Sequence, residues 1–190
     1  MNNNKTYLFT SERLGFRNWL PSDLQPMTEL NADEAVMAFF PSTQSEKQTM
    51  EFIERMQKEY DVKGFCYFAV DMLENNEFIG FTGLTEKTFE ADFTPCIDIG
   101  WRLKKSAWNK GFATEGARRC LDYAFNHLAL QTIFAMASAI HVKSEEVMKK
   151  AGMQKVKYFE NSLLKGYEKI QTCVLYQIDN PSKTLPGQPI

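Results

Sequence analysis

The stretch best suited to chemistry on a ligand is Trp108-Asn109-Lys110-Gly111-Phe112-Ala113-Thr114-Glu115-Gly116. A strand pattern, Cys96 to Leu103, leads into it, and a helical pattern, Thr114 to Leu128, leads out. A glycine turn that opens a helix leaves backbone N–H groups unpaired at the positive end of the helix dipole. A phosphate or pyrophosphate finds its donors already in place there. Gly111 removes the side chain where backbone would meet such a ligand, Ala113 keeps the next inward position small, and Lys110 adds a cation. The same residues also suit a plain turn, with Gly111 serving only the backbone and Lys110 only the solvent. Neither GxGxxG nor GxxxxGKS/T is present, so the dinucleotide and P-loop signatures are excluded.

Asp98 lies between Ile97 and Ile99 in the entering strand. An unpaired carboxylate in a buried strand is costly, so Asp98 needs a partner or a purpose. It is either a site carboxylate, a structural hydrogen-bond acceptor, or the outward end of its strand. His141 follows the apolar run Ile133 to Ile140. Its unperturbed pKa of about 6.5 suits a proton relay as well as a donor, or an idle loop position. Ser144 reads as a helix N-cap, with Glu145 and Glu146 in the first turn, Lys149 and Lys150 in the last, and Gly152 at C′.

The elements that must position these residues follow from periodicity. Leu8 to Trp19 reads as a first strand with a turn at Ser11-Glu12, Leu14 and Phe16 facing inward and alternating with Gly15 and Arg17. Pro21-Ser22-Asp23 opens a helix with Ser22 as its cap. A short helix spans Asp33 to Phe40, and a longer one spans Ser45 to Val62 with Met50, Ile53 and Met56 on one face. Phe65 to Leu73 and Phe78 to Leu84 form a hairpin around Asn75-Asn76, with Gly80 and Gly83 marking bends or close backbone approach. Glu86 to Thr94 is an irregular connection. Thr132 to Ala139, Val156 to Phe159 and Thr172 to Ile178 complete the strands, and the tail from Asn180 carries three prolines before Ile190. This order predicts a mixed sheet with helices on both faces, the helix after the glycine turn crossing between neighbouring parallel strands.

Composition limits the alternatives. At 190 residues with 44% hydrophobic and 24% charged content, the chain suits one ordinary globular domain. A net charge of −2 gives no case for nucleic acid or an anionic membrane surface. Cys66, Cys96, Cys120 and Cys173 are far apart in apolar runs, which favours buried free thiols in a reducing compartment, and with two histidines a zinc site is not expected. No signal peptide and no run of ~18 apolar residues is seen, so the expectation is a cytoplasmic protein.

Ile99-Gly100-Trp101-Arg102-Leu103 followed by Trp108 to Glu115 resembles the acetyl-CoA-binding segment of the GNAT N-acetyltransferases. More narrowly, it resembles the branch that includes the ribosomal-protein alanine acetyltransferases RimJ and RimL. Thr10 to Arg17 with Leu20 to Leu24, and His141 to Met153, share the resemblance, which covers roughly residues 8 to 178. It implies an α/β (α+β) fold with a mixed, mostly antiparallel twisted sheet flanked by helices on both faces. That would be a single acetyltransferase domain over 1–180, with 181–190 an extended or disordered tail.

The implied co-substrate is acetyl-CoA, held by Trp101, Leu103, Trp108, Asn109, Lys110, Gly111, Phe112, Ala113, Thr114 and His141, with no metal. The implied acceptor is a primary amine, on a protein N-terminus or a small molecule, acetylated by direct transfer. Asp98 stands where the branch often has glutamate and is the implied base. Ser144 matches a serine near the thiol end of the cofactor and is the second implied catalytic residue. His141 replaces a usual asparagine as a donor to the cofactor, and Met148 stands where many members carry the tyrosine that protonates the departing thiolate. Trp108 replaces a usual Arg or Gln, as in RimJ- and RimL-like members. The departures at His141 and Met148 keep open a non-catalytic acyl-CoA-binding or interaction domain. The chain is expected as a monomer or homodimer without nucleic-acid or membrane partners. The early helices would cover the acceptor side, where Phe39 and Phe40 could face substrate, although two aromatics before a proline are more often core on burial tendency.

Overall fold

The first turn of the chain, at Ser11-Glu12, divides the opening segment into a hairpin in which β1 (Phe9–Thr10) pairs antiparallel with β2 (Leu14–Arg17). The structure, a computed structural model, describes residues 5–181; the expected tail lies outside the described residues from 182 onward. The expected alternation in β2 fails, because Gly15 and Arg17 are buried along with Leu14 and Phe16. Arg17 is enclosed by carboxylates: its Nη1 and Nη2 donate to Asp23 at 2.6 and 2.8 Å, and its Nε and Nη2 donate to Asp71 at 2.7 and 2.9 Å. Asp23 also accepts the Leu20 N–H at 2.8 Å, so Leu20 rather than Ser22 caps the 3-10 turn Pro21–Asp23.

Three helices follow. They are α1 (Leu24–Ala32), α2 (Glu34–Met37), capped by the Asp33 side chain, and α3 (Glu46–Lys63), capped by Ser45 in a reciprocal box with Gln48. The inward face of α3 runs through Thr49, Ile53 and Met56, while Met50 is 42% exposed. The expected stripe was one residue off because Thr49 is polar; its hydroxyl is buried as the acceptor for Asn31 Nδ2 at 3.0 Å.

β3 (Tyr67–Met72) and β4 (Glu77–Lys87) form the expected hairpin, with Asn76 at a φ of 56°. β4 continues to Lys87, into the segment expected to be irregular. Next come β5 (Cys96–Leu103), α4 (Phe112–Asn126), β6 (Thr132–Ser138), α5 (Val142–Lys150), β7 (Gln154–Glu160), α6 (Glu168–Gln171) and β8 (Thr172–Asp179). The sheet has eight strands in the order β1-β2-β3-β4-β5-β6-β8-β7. Every neighbouring pair is antiparallel except β5 with β6, and α4 is the crossover between those two.

The two sides of β4 show how the layers stack. Thr85 hydrogen-bonds Glu59 of α3 on one face, while Thr82 faces Gly116 of α4 on the other, so close that a β-carbon on Gly116 would lie 3.1 Å from Thr82 Oγ1. α4 buries Phe112, Ala117, Cys120, Leu121 and Ala124 against the sheet, the period expected from the sequence. All four cysteines are buried and free.

α5 departs from expectation at its start. Its cap residue is His141, and Ser144 occupies the third helical position, its N–H bonded to the His141 carbonyl. Its end is as read: Gly152 has a φ of 89°, and the Gly152 and Met153 amides bond back to Lys149 and Met148, a Schellman closure.

Candidate active site

β5 and β6 run parallel but are bridged at one position, Asp98 opposite Phe134. Beyond it Ile99–Leu103 pair with β4, and Ala135–Ser138 pair with β8. Parallel strands that part in this way leave edge N–H and C=O groups facing an opening. It lies at the carboxyl ends of the strands, where α/β sheets receive ligands.

Asp98 sits at the apex of the opening and is 4% exposed. Tyr67 Oη donates to its Oδ2 at 2.7 Å, and Lys87 Nζ lies 3.8 Å from the same oxygen. Oδ1 is buried with no hydrogen bond of ordinary geometry. Burial raises the Asp98 pKa to about 6, against the opposing pull of Lys87, Tyr67 and the Met136 backbone amide. Tyr67 is pushed well above the ordinary phenol value, first by burial and then by the Asp98 charge. Its ring stacks on Phe81 at 5.0 Å and fits only because residue 100 is glycine: a β-carbon there would lie 2.8 Å from Tyr67 Oη.

The turn after β5 closes one side of the opening. Trp108 Nε1 donates to the Leu103 carbonyl at 2.7 Å, so that carbonyl is already occupied and Leu103, whose side chain is in the core, anchors the turn. Asn109 and Gly111 have φ values of 60° and 83°, and Gly111 is the N-cap of α4 without any side-chain cap. The first helical bond is Glu115 N–H to Gly111 O, which leaves the Phe112, Ala113 and Thr114 amides at the helix N-terminus outside the helical ladder. Phe112 itself is buried under the Arg13 guanidinium, 4.6 Å from the ring centroid, and Trp101 is partly buried in the core.

Arg13 and Glu115 hold this turn from the far end of the chain. Glu115 accepts from Ser11 Oγ at 2.6 Å and from Arg13 N and Nε at 2.8 and 2.7 Å, while Arg13 Nη1 donates to the Lys110 carbonyl at 3.0 Å. Beside the turn lies an open groove of about 670 Å³ lined by Arg13, Gly111, Thr114, Arg118, Arg119 and Lys150 among others.

Across the opening, His141 stacks on Phe39 with ring centroids 3.8 Å apart, and Lys143 Nζ lies 5.8 Å from the Trp108 ring. Phe40 is 40% exposed and lies against Arg102. The expectation that Phe39 and Phe40 belong to the core is therefore corrected: they face the same side as Asp98, held by a histidine and an arginine rather than by apolar packing. Burial, aided by Lys143, lowers the His141 pKa to about 4, and its Nδ1 is buried without a partner. The unperturbed value near 6.5 does not survive that environment. An NMR titration should show His141 neutral throughout pH 6 to 8 with its midpoint near 4; a midpoint above 6 would mean that the imidazole is not enclosed. Ser144 is buried in the first turn of α5, and Met148, one turn on, is core at 1% exposure and brings no titratable group.

Sequence reasoning missed Tyr67, Arg102 and the Arg13–Glu115 clamp. Gly100 was the available signal for Tyr67, since glycine within a strand marks a close approach from a neighbour.

The arrangement defines an α/β fold opened at one parallel pair, beside a helix N-terminus whose first amides lie outside the helical ladder. Residues 13–154 match the acetyltransferase (GNAT) domain family, and the chain belongs to that family. It is 29% identical over 164 residues to the "Uncharacterized N-acetyltransferase YnaD" of Bacillus subtilis, spanning 84% of this chain and 89% of that protein. A GNAT-family acetyltransferase structure from Bacillus anthracis superposes with a TM-score of 0.76 at 26% identity, covering 90% of this chain and 97% of that one. RimL, the ribosomal L7/L12 α-N-protein acetyltransferase in complex with coenzyme A, shares the fold with a TM-score of 0.73 at 13% identity, over 94% of this chain and 100% of that one. No helix among the described residues is long and apolar enough to cross a membrane, and none of them form a cluster suited to a metal ion.

Proposed function

We propose that this protein is an acetyl-CoA-dependent N-acetyltransferase that acetylates a primary amine by direct transfer, in the manner of the RimJ- and RimL-like branch. The observation that carries the reading is the carboxylate of Asp98, with its pKa raised to about 6, placed where β5 and β6 part. The residues present fit acetyl-CoA. The Phe112, Ala113 and Thr114 amides supply donors for a pyrophosphate, Gly111 leaves the approach clear, and the parted strand edges offer polar backbone to an extended amide-bearing arm. Trp108, Asn109 and Lys110 shape the turn, Trp101 and Leu103 anchor the strand that leads to it, and His141 borders the opening. When bound, acetyl-CoA supplies an activated thioester acyl group.

The chain's own residues handle the proton. An ammonium group must become an amine before it attacks, and a base with a pKa near working pH does this best. Because Asp98 is enclosed, its route to the acceptor runs through the Tyr67 hydroxyl, which can accept a proton from the amine as it passes its own to Asp98. Ser144, buried in the first turn of α5, is the second catalytic candidate, taken from the resemblance to the branch. Buried free cysteines suit a reducing compartment such as the cytoplasm.

Calorimetry with acetyl-CoA, followed by thiol release across a panel of protein N-terminal peptides and small amines, tests the reading. Absence of acetyl-CoA binding would sink it, and binding without release to any amine would favour an acyl-CoA-binding domain. At Gly111 the useful variant is Gly111→Asn, since asparagine tolerates a positive φ while still adding a side chain. Affinity for acetyl-CoA should fall about tenfold, about 1.4 kcal/mol, with little change in melting temperature. Unchanged affinity would remove the pyrophosphate from this turn.

A further inference from the structure

Two arginines stand on the same face of the sheet, joined by one cross-strand row: Arg17 opposite Ala69, Ala69 opposite Phe81, and Phe81 opposite Arg102. Arg17 has its guanidinium fully matched by Asp23, Asp71 and the Asn18 carbonyl. Arg102 is the opposite case. Its Nη1 donates to Asn31 Oδ1 at 2.6 Å, its Nε is buried without a hydrogen bond, and no carboxylate among the described residues pairs with it. The guanidinium lies 4.2 Å from the Phe40 centroid and 5.4 Å from that of Phe81. Asn31 is itself fixed by Thr49, so Arg102 is held in one orientation. Burial draws its pKa down to about 10.

A partly buried cation with unmatched donors is expensive to keep, and a guanidinium fork matches a carboxylate or phosphate better than any neutral group. Arg102 shares its strand face with Gly100 and Asp98, the side of the sheet that also carries Tyr67 and Phe81. We propose that Arg102 binds an anionic group, carboxylate or phosphate, carried by the amine acceptor itself. This deepens the acetyl-transfer reading and rests on it.

The spacing makes the proposal more specific. Tyr67 Oη lies 2.7 Å from Asp98 and 2.8 Å from where a β-carbon on Gly100 would be. The proton-handling pair therefore stands over Gly100, two strand residues from Arg102, or ~7 Å along β5. An acceptor that reaches both ends needs several bonds between amine and anion, as in an ω-amino acid or a dipeptide.

The test uses calorimetry on the intact protein with matched pairs: glycylglycine against its C-terminal amide, γ-aminobutyrate against its amide, and O-phosphoethanolamine against ethanolamine. At least one anionic member should bind tenfold or more tighter than its neutral partner, and whether a carboxylate or the phosphate does so identifies the group. Arg102→Met should abolish the difference and Arg102→Lys should keep part of it. Equal binding within every pair, or no binding of any anionic amine, overturns the proposal. So does a folded Arg102→Met protein that retains the preference, and if that variant does not fold, the wild-type comparison decides alone. Thiol release on the same pairs separates the two readings. Preferential binding of anionic amines with no acetylation of any amine leaves Arg102 its role and removes acetyl transfer. Equal acetylation of neutral and anionic amines does the reverse.

Discussion

Asp98→Asn should lower kcat/KM for the amine acceptor by roughly 100-fold or more, the range expected when a general base is lost, while acetyl-CoA affinity stays within about twofold. The wild-type profile should rise with pH through about 6 and then level, because the proposed base acts as the deprotonated carboxylate. The variant should lack that rise. Stability moves in the opposite sense. The folded pKa of about 6 lies above the ordinary 3.8, so the favourable contribution is complete below the unfolded value and is lost as pH rises through 6. By pH 7 the loss is about 3 kcal/mol at 1.36 kcal/mol per unit. Melting curves at pH 4 and pH 7 should therefore show Asp98→Asn gaining on the wild type as pH increases. A variant with wild-type kinetics at every pH would assign Asp98 to structure alone.

Arg17→Met is the second large effect, on stability rather than activity. Burial alone would pull the Arg17 pKa down, and the Asp23 and Asp71 hydrogen bonds more than offset this. Removing the guanidinium leaves Asp23 buried with no cation and Asp71 with only Lys5, 3.0 Å away. Such a break costs about 3–5 kcal/mol, a drop in Tm on the order of 10 °C. Urea denaturation measures it directly. Replacing Asp23 and Asp71 with leucine in the same protein should restore much of the loss, since a buried ion cluster is often matched by apolar packing of similar volume. A single variant within 1 kcal/mol of wild type would mean that the enclosure admits water.

What could be read from the sequence was local. Cys96 to Leu103 is the strand expected, the glycine turn and α4 follow it within two residues, and the Gly152 closure is as read, because each depends on neighbours within a few positions. What failed depended on partners far away. Arg17 looked like the outward member of an alternating strand, and only Asp71, on β3, explains its burial. Phe39 and Phe40 looked like core until the α5 cap and β5 supplied a histidine and an arginine for them to cover. Ser144 lost the cap position because the turn after β6, closed by the His141 N–H to the Ser138 carbonyl, starts the helix at His141. The pairing of Tyr67 with Asp98 crosses β4, and no periodicity within one strand carries that register.

The bonds from Ser11 and Arg13 to Glu115 join positions 104 and 102 residues apart. Closing so long a loop carries an entropy penalty that local helix formation does not. During synthesis the opening hairpin emerges well before the turn it will grip, and it must wait for about half of the chain to follow. The expected consequence is that the turn at Gly111 takes its final shape late in folding, after the sheet has brought the two ends of that loop together. An intermediate with α4 formed but the hairpin undocked would have the helix without the shaped turn, so recovery of the proposed acetyl-CoA affinity should lag behind recovery of helical content during refolding.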